Sequence, residues 1–496
     1  MAITASLLYD LVHCPHRVSM NLFEEPARKD AVSRFVELLW ERGTTYEKEV
    51  IDGLGSPFTD LSGLSGDAKR DATSDAMTRA DQLIYAGRVE ADELIGEPDL
   101  LRREGKGYVP IDIKAGRGEE GGGDDDEGKP KIHYTVQLGL YLDILERLGV
   151  TGERVGYIWD IHGKEVAYKM DELYGVKAPR TRWEDYKEAM AAALDIIGRK
   201  ATTAPALASF CKLCAWRSAC LERLEAANDL TLIPELGRLR RDTMLPKIAT
   251  VQQLAKCDPS NFVRKTKTEF PGIGPEMLIK FHDRAKLLCQ KSPVPYLVGS
   301  LNLPTARREI FFDIEVDPLR DVCYLHGFVT RVDGDDKSEK YTFFFADDAS
   351  AKMEEAAFHF AWDFLCASKP YVMYFYSKYE RTIYRKLQEK YPNVCSKENI
   401  EALFDPMGAV DLYYDAVQKG TYWPTRDHSL KTLASFLGFK WRDTEPSGAA
   451  SIEWYDRWIN ERMQPVKQRI LEYNEDDCRA TRVLLDGLRN LRVGAG

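Results

Sequence analysis

Phe311-Phe312-Asp313-Ile314-Glu315-Val316-Asp317 is the stretch on which the reading of this chain turns. Successive side chains of a strand point to opposite faces, so Asp313 and Glu315, two residues apart, share one face of an apolar segment. Two carboxylates on one buried face are costly unless a cation or hydrogen-bond donors compensate them. The strand EIFFDIEVD (309–317) is followed by VCYLHGFVT (322–330) and KYTFFFA (340–346), with short loops between them. Such spacing predicts an antiparallel meander. Helix and strand patterns then alternate: EEAAFHFAWDFL (354–365), YVMYFYS (371–377), KYERTIYRKLQEKY (378–391), LKTLASFLG (430–438) and RILEYNEDDCRATRVLLDGL (469–488). A mixed sheet flanked by helices is the natural packing for that order.

Two more features attach to the Asp313/Glu315 pair. Tyr473 and Asp477 are four apart, which places them on one face of the last helix. Glu380 begins a helix just after a strand, and Asp411, in AVDLYYD, is a further acid that can assist. Asp-x-Glu on the first strand, an acid on a middle helix and Tyr-x-x-x-Asp on the last helix resemble the DEDDy group of RNase H-like exonucleases. HSLKTLASFLGF (428–439) resembles the YprB-like branch of that group. The resemblance covers nearly the whole C-terminal third. It implies that Asp313, Glu315, Glu380 and Asp477 hold two divalent cations, magnesium or manganese, and that Tyr473 orients or deprotonates the attacking water. The sequence departs from the family at Glu380, where the usual residue is Asp.

Upstream lies a second constellation, GEPDLLRREGKGYVPIDIKAG (96–116). Asp99 follows a turn, and Asp112 and Lys114 share a face of an apolar strand. A carboxylate pair binds a divalent cation, and a lysine beside it positions water and stabilises charge on a phosphate. The strand candidates LIGEPDLLRRE (94–104), GYVPIDIKAG (107–116) and VGYIWDIHGKEVAYK (155–169) surround this motif. The helix HYTVQLGLYLDILERLG (133–149) carries Gln137 and Tyr141 one turn apart. Cys14 stands near the N-terminus, and Cys211-x2-Cys214-x5-Cys220 follows the core. Thiolates so grouped suit an iron–sulfur centre or zinc, clasping the two ends of the domain together.

Together these features resemble the PD-(D/E)xK nucleases of the RecB family. The similarity is greatest to members with a 4Fe-4S staple, such as the CRISPR-associated RecB-like exonucleases and the AddB-type nuclease domain. The resemblance covers roughly residues 5–222. It implies Asp99 and Asp112 as metal ligands, Lys114 as the catalytic lysine, Gln137 and Tyr141 as supports of substrate and site, and Cys14, Cys211, Cys214 and Cys220 as cluster ligands. The family usually takes a His ligand from an N-terminal helix. Here ERGTTYEKEV (41–50) offers Tyr46 and then Glu47, so Glu47 substitutes or the module is weakened. His13 and His16 flank Cys14 outside the active site, and His133 is either a further ligand or, the preferred reading, a solvated side chain. The pairing of the two modules resembles a bacterial family of RecB-like nucleases.

The expected fold is therefore α/β and multidomain. It comprises a restriction-endonuclease-like domain over 1–225, a helical connector over 226–300 and an RNase H-like domain over 301–496. In the connector, PGIGPEMLIKFHDRAKLL (271–288) resembles half of a helix-hairpin-helix, whose Gly272 and Gly274 would present backbone N–H groups to a nucleic-acid phosphate. At 496 residues the chain exceeds one core. The net charge of −10 argues against a DNA-coating protein. Six acids between Glu119 and Glu127, in a Gly-rich run read as a disordered loop over 116–130, account for more than half of it.

No run of about 18 apolar residues appears, and MAITASLLYDLVHCPHR does not read as a signal peptide, so a cytoplasmic protein with reduced thiols and no membrane contact is expected. No G-x-x-x-x-G-K-[ST] loop is present, so unwinding would fall to a helicase partner or to frayed ends. The functional expectation is a metal-dependent exonuclease on single-stranded DNA or DNA ends, in repair or defence. The alternatives are a DNA-binding scaffold with weakened sites beside a helicase, and a ribonuclease.

Overall fold

The computed structural model describes residues 2–121 and 128–494. It forms two compact units, Met1–Pro205 with Ser209–Cys220, and Ala206–Ala208 with Leu221–Gly496. The segment 226–300 lies within the second unit, around an apolar cluster of its own that includes Leu232, Leu254, Phe270, Ile273 and Phe281.

The first unit is built on a six-stranded sheet whose spatial order follows the chain: β1 (Thr59–Asp60), β2 (Leu83–Tyr85), β3 (Leu100–Glu104), β4 (Gly107–Ile113), β5 (Val155–Trp159) and β6 (Glu165–Lys169). β1–β2 and β4–β5 are parallel and the other pairs are antiparallel. Every residue of β4 is buried, as expected of a central strand covered on both faces, and its sequence is correspondingly almost wholly apolar. Asp112 is the exception. The stretch 94–104, read above as one strand, is two: Leu94–Gly96 pairs in a separate three-stranded sheet, and Pro98 with Asp99 breaks the run before β3. Pro98 cannot donate to a ladder, which is the physical reason for the interruption. α1 (Ala5–His13) and α2 (Pro15–Phe23) pack on each other, α3 (Arg34–Asp52) and α4 (Ile132–Arg147) pack against the sheet, and α1 also packs on α4.

The acidic insert begins and ends in order, contrary to a loop over its whole length. Glu119–Glu120 pair with Lys129–Pro130, and Lys164 reaches Glu119 at 2.6 Å. Asp124, Asp125, Asp126 and Glu127 lie outside the described residues.

In the second unit a small helical segment precedes a five-stranded sheet. α5 (Val251–Lys256) packs on α6 (Pro275–Leu288), with a two-residue-strand hairpin, Val263–Arg264 against Lys267–Thr268, between them. The sheet comprises β7 (Arg308–Asp317), β8 (Val322–Val332), β9 (Asp335–Phe345), β10 (Val372–Phe375) and β11 (Ala409–Asp411), in the order β9-β8-β7-β10-β11. β7, β8 and β9 are the antiparallel meander, while β10 and β11 add in parallel. The helices α7 (Ala351–Ala367), α8 (Tyr379–Lys390), α9 (Leu430–Phe436), α10 (Gly448–Glu461) and α11 (Gln464–Asn490) cover it. Among the described residues no helix is long and apolar enough to cross a membrane.

Candidate active sites

The first site sits on β7 and α11. Asp313 pairs with Gly327 of β8, and the register shifts between Glu315 and Val316, one residue beyond the second acid. A bulge at that point re-aims the strand beside the site. One oxygen each of Asp313, Glu315 and Asp477 lies within 4.8 Å of the others, the only such three-ligand group among the described residues. Three carboxylate oxygens so placed fit a hard divalent cation. Burial, with the neighbouring acids, raises the Asp313 carboxyl far above its usual range, and burial with Asp477 pushes Glu315 up to about 8. The cluster is thus short of positive charge.

Lys431 partly supplies it. This residue of α9 donates from Nζ to the Tyr473 hydroxyl at 2.8 Å and meets Asp477 Oδ2 at 3.1 Å. Trp441 Nε1 donates to Asp477 Oδ1 at 2.7 Å. Tyr473 is 3% exposed, and burial, followed by the charges of Asp477, Glu315 and Asp313, raises its phenol well above the ordinary value. The phenol therefore keeps its proton.

Glu380 lies at the start of α8, buried, with Oε2 lacking a hydrogen-bond partner. Burial raises its carboxyl well above the usual range, and its charge reaches Asp313, yet it stands outside the three-ligand group. Asp411 has a different task. Its Oδ1 accepts from the backbone N–H groups of Ser377 at 3.0 Å, Tyr413 at 3.0 Å and Tyr414 at 3.2 Å. It ties down the turn before Glu380, where Ser377 has a φ of 111°.

The second site sits on the first unit's sheet. Asp112 is 1% exposed and its Oδ2 meets Lys114 Nζ at 2.9 Å, while Asp99 Oδ2 lies 3.8 Å from the same nitrogen and accepts from Ile113 N at 2.6 Å. Burial pushes Asp99 up to about 7, with Lys114 pulling the other way. Glu47 Oε1 accepts from the Tyr85 hydroxyl at 3.0 Å, and its charge reaches Asp99. Tyr46, in the position of the expected His, gives its hydroxyl to the Asp160 carbonyl at 2.5 Å. Gln137 Oε1 is buried without a partner, and Tyr141 packs against Gly96, where an added Cβ would come within 2.6 Å of its ring. Asp112 and Asp99 lie within electrostatic reach of Tyr141, whose phenol burial raises well above the usual value.

The cysteines gather beside α1 and α2. Cys14 separates these helices; Cys211 lies in the turn Ser209–Leu213, and Cys220 in the helix Arg217–Ala227. Burial raises the Cys214 thiol, and both Cys211 and Cys14 lie within electrostatic reach of it. Cys214 and Cys220 pack against Met20, Trp216 and Ala219. The adjoining residues clasp the two segments: the His13 and Phe210 rings stack at 4.3 Å with 1° between planes, and Trp216 Nε1 donates to Asn21 Oδ1 at 2.8 Å. His16 Nδ1 lies 2.8 Å from Thr203 Oγ1. His133 is half-buried: its ring packs among Tyr9, His13 and Tyr134, and burial lowers its pKa to about 4.

Gly272 has a φ of 76°, a conformation that favours glycine, and an added Cβ at Gly272 or Gly274 would meet nothing within 4 Å. Gly274 caps α6, and Thr268 Oγ1 donates into the loop at the Ile273 carbonyl, 2.5 Å away.

Lys431, Trp441 and Asn474 carry parts of the C-terminal site to which sequence reading assigned no role. Lys431 lies inside HSLKTLASFLGF, so its signal was that it is the one charged residue of the helix Leu430–Phe436.

Two acid-lined sheets, one with a paired lysine and one with a three-carboxylate group and a tyrosine, define a phosphodiester-hydrolysing enzyme. A model of the PD-(D/E)XK nuclease superfamily matches residues 16–221, and a model of the RNase_H superfamily matches residues 310–489. The chain joins a PD-(D/E)XK nuclease domain at its N-terminus to an RNase H superfamily domain at its C-terminus. Such domains act on nucleic acid and generally use divalent metals such as magnesium or manganese. No curated protein matches the chain.

Proposed function

We propose that the protein is an exonuclease acting on single-stranded DNA or DNA ends, in repair or defence, and that its C-terminal module is the principal cutting site. The observation that carries this reading is the group of Asp313, Glu315 and Asp477 beside Tyr473. These three acids, with Glu380 behind them, would hold magnesium or manganese. When bound, the cations stabilise charge on the phosphate and make water a better nucleophile. Tyr473, protonated and anchored by Lys431, orients the attacking water rather than deprotonating it. Lys431 lies where its charge offsets that of an incoming phosphate.

In the N-terminal module Asp99 and Asp112, with Glu47 as the third acid, would hold a cation, and Lys114 would face the phosphate. Gln137 and Tyr141 support that site from α4. The pairing of Lys114 with both aspartates, and the engagement of Tyr46 with Asp160, favour a second reading for this module, in which it grips DNA beside a helicase. Gly272 and Gly274 offer backbone N–H groups to a strand.

Cys14, Cys211, Cys214 and Cys220 would hold a 4Fe-4S cluster. The donor chemistry fits, because Cys14 and Cys211 lie within electrostatic reach of Cys214, and Cys214 and Cys220 pack against the same apolar residues. The cluster would supply a structural clasp. About four irons per chain are expected in anaerobically purified protein; stoichiometric zinc would refute the iron while keeping the ligands.

The deciding experiment is cleavage of end-labelled single-stranded DNA with manganese. Wild type is compared with Asp313→Ala, Lys114→Ala and the double variant, beside an RNA control. Loss in Asp313→Ala alone supports the reading. Cleavage of RNA only would make the protein a ribonuclease, and no cleavage of either would favour the scaffold.

A further inference from the structure

Asn474 lies on α11 between Tyr473 and Asp477 and is fully buried. Its Nδ2 donates to Asp313 Oδ2 at 2.7 Å, and Glu315 lies within its electrostatic reach. Its Oδ1 accepts from the Tyr341 hydroxyl at 2.8 Å. The direction of the amide is fixed by chemistry. The Tyr341 hydroxyl donates to Oδ1, which leaves the NH2 group for Asp313, and with a cation bound that carboxylate is ionised and only accepts.

The backbone is shaped around this side chain. Gly327 stands opposite Asp313 in the β7–β8 ladder, and a Cβ there would come within 1.6 Å of Asn474 Oδ1. Only glycine at that point lets the amide reach Asp313.

We infer that Asn474 is a positioning residue that clamps Asp313, the first acid of the three-carboxylate group, with Tyr341 setting the clamp's orientation. This rests on the metal-dependent nuclease reading above. Asn474 ties this carboxylate without neutralising it. A lysine in its place would compete with a cation for the same charge, whereas a neutral donor leaves the charge in place and fixes the direction of the remaining lone pairs. Outer partners of this kind typically alter metal affinity or activity about 10–100-fold when removed.

The test is manganese binding by calorimetry on the full chain carrying Asp112→Asn, so that the heat reports the C-terminal site. Thermal melting without metal is measured in parallel. Asn474→Leu, close in shape, should weaken manganese binding about 10–100-fold. Tyr341→Phe, which keeps the ring and loses only the hydroxyl, should weaken it by a smaller factor while the metal-free melting temperature stays unchanged. Should Asn474→Leu fail to fold, Tyr341→Phe decides the matter by itself. Manganese affinity unchanged in the folded variants would overturn the clamp. Absence of manganese binding by the parent chain would overturn the nuclease reading and the clamp with it.

Discussion

Beside the N-terminal sheet the lysine that faces the acids comes from two residues along the chain, just past the end of β4, with Lys114 Nζ 2.9 Å from Asp112 Oδ2. In the C-terminal sheet the equivalent contact is made by Lys431, 3.1 Å from Asp477 Oδ2 and 46 residues away in sequence. The difference is one of charge balance as much as of connectivity. Lys114 stands against Asp99 and Asp112, with Glu47 held aside by Tyr85. Lys431 stands against Asp313, Glu315, Asp477 and the nearby Glu380, so a surplus of negative charge remains. A buried surplus of that kind is tolerated only if protons or cations enter. The larger surplus, at Asp313, Glu315 and Asp477, is the ground on which the C-terminal module is proposed as the cutting site.

The largest effect that would break this ranking is on cleavage. Asp313→Ala should lower it by roughly 10³-fold or more, whereas Lys114→Ala should lower it far less; rates on end-labelled DNA check this. The reverse order would make the N-terminal module the working one. Cys214→Ala should destabilise the first unit by several kcal/mol or more, because a metal centre that joins distant segments contributes directly to folding. Melting followed by limited proteolysis of 1–220 reads this out, and an unchanged melting point would remove the clasp.

Lys431→Met sharpens the comparison at the next level. Loss of the Lys431 charge beside Asp477 and Tyr473 should reduce cleavage about 10²-fold, with manganese binding no weaker, since the lysine competes with the cation for Asp477. Weaker binding would show that Lys431 organises the acids instead. The smallest effect concerns pH. Glu315 is raised in the folded protein to about 8, above its unfolded value near 4.5, so the folded state binds the extra proton between those limits. Its contribution to stability is fully present below about pH 4.5 and is lost as pH rises through about 8. The melting temperature of metal-free wild type should therefore fall over that window relative to Glu315→Gln, and manganese should flatten the fall. Parallel curves for the two proteins would rule this out.

Much of each site was legible because its chemistry is local. Asp313 with Glu315, Asp112 with Lys114, and Tyr473 with Asp477 are set by the periods of strand and helix, and they fall on shared faces as those periods require. The limits of strands were less legible. Pro98 split a stretch read as continuous, and the ends of the acidic insert pair as strands despite their composition. His133 entered an aromatic cluster because its neighbours come from α1, more than 100 residues away in the chain, which no local pattern encodes.

By itself the sequence determined the α/β class, the two acid motifs and the spacing of the cysteines, since each depends on contacts within a turn or a strand. Only the tertiary structure decided which acids gather: Asp477 joins Asp313 and Glu315, while Glu380 stands apart and Asp411 ties down a turn. It also decided that Lys431 would meet Asp477 and that Asn474, admitted by the missing side chain of Gly327, would donate to Asp313. The physical reason is that charge compensation in a buried site is settled by whichever donors packing brings near, and packing joins residues with no regular separation in sequence.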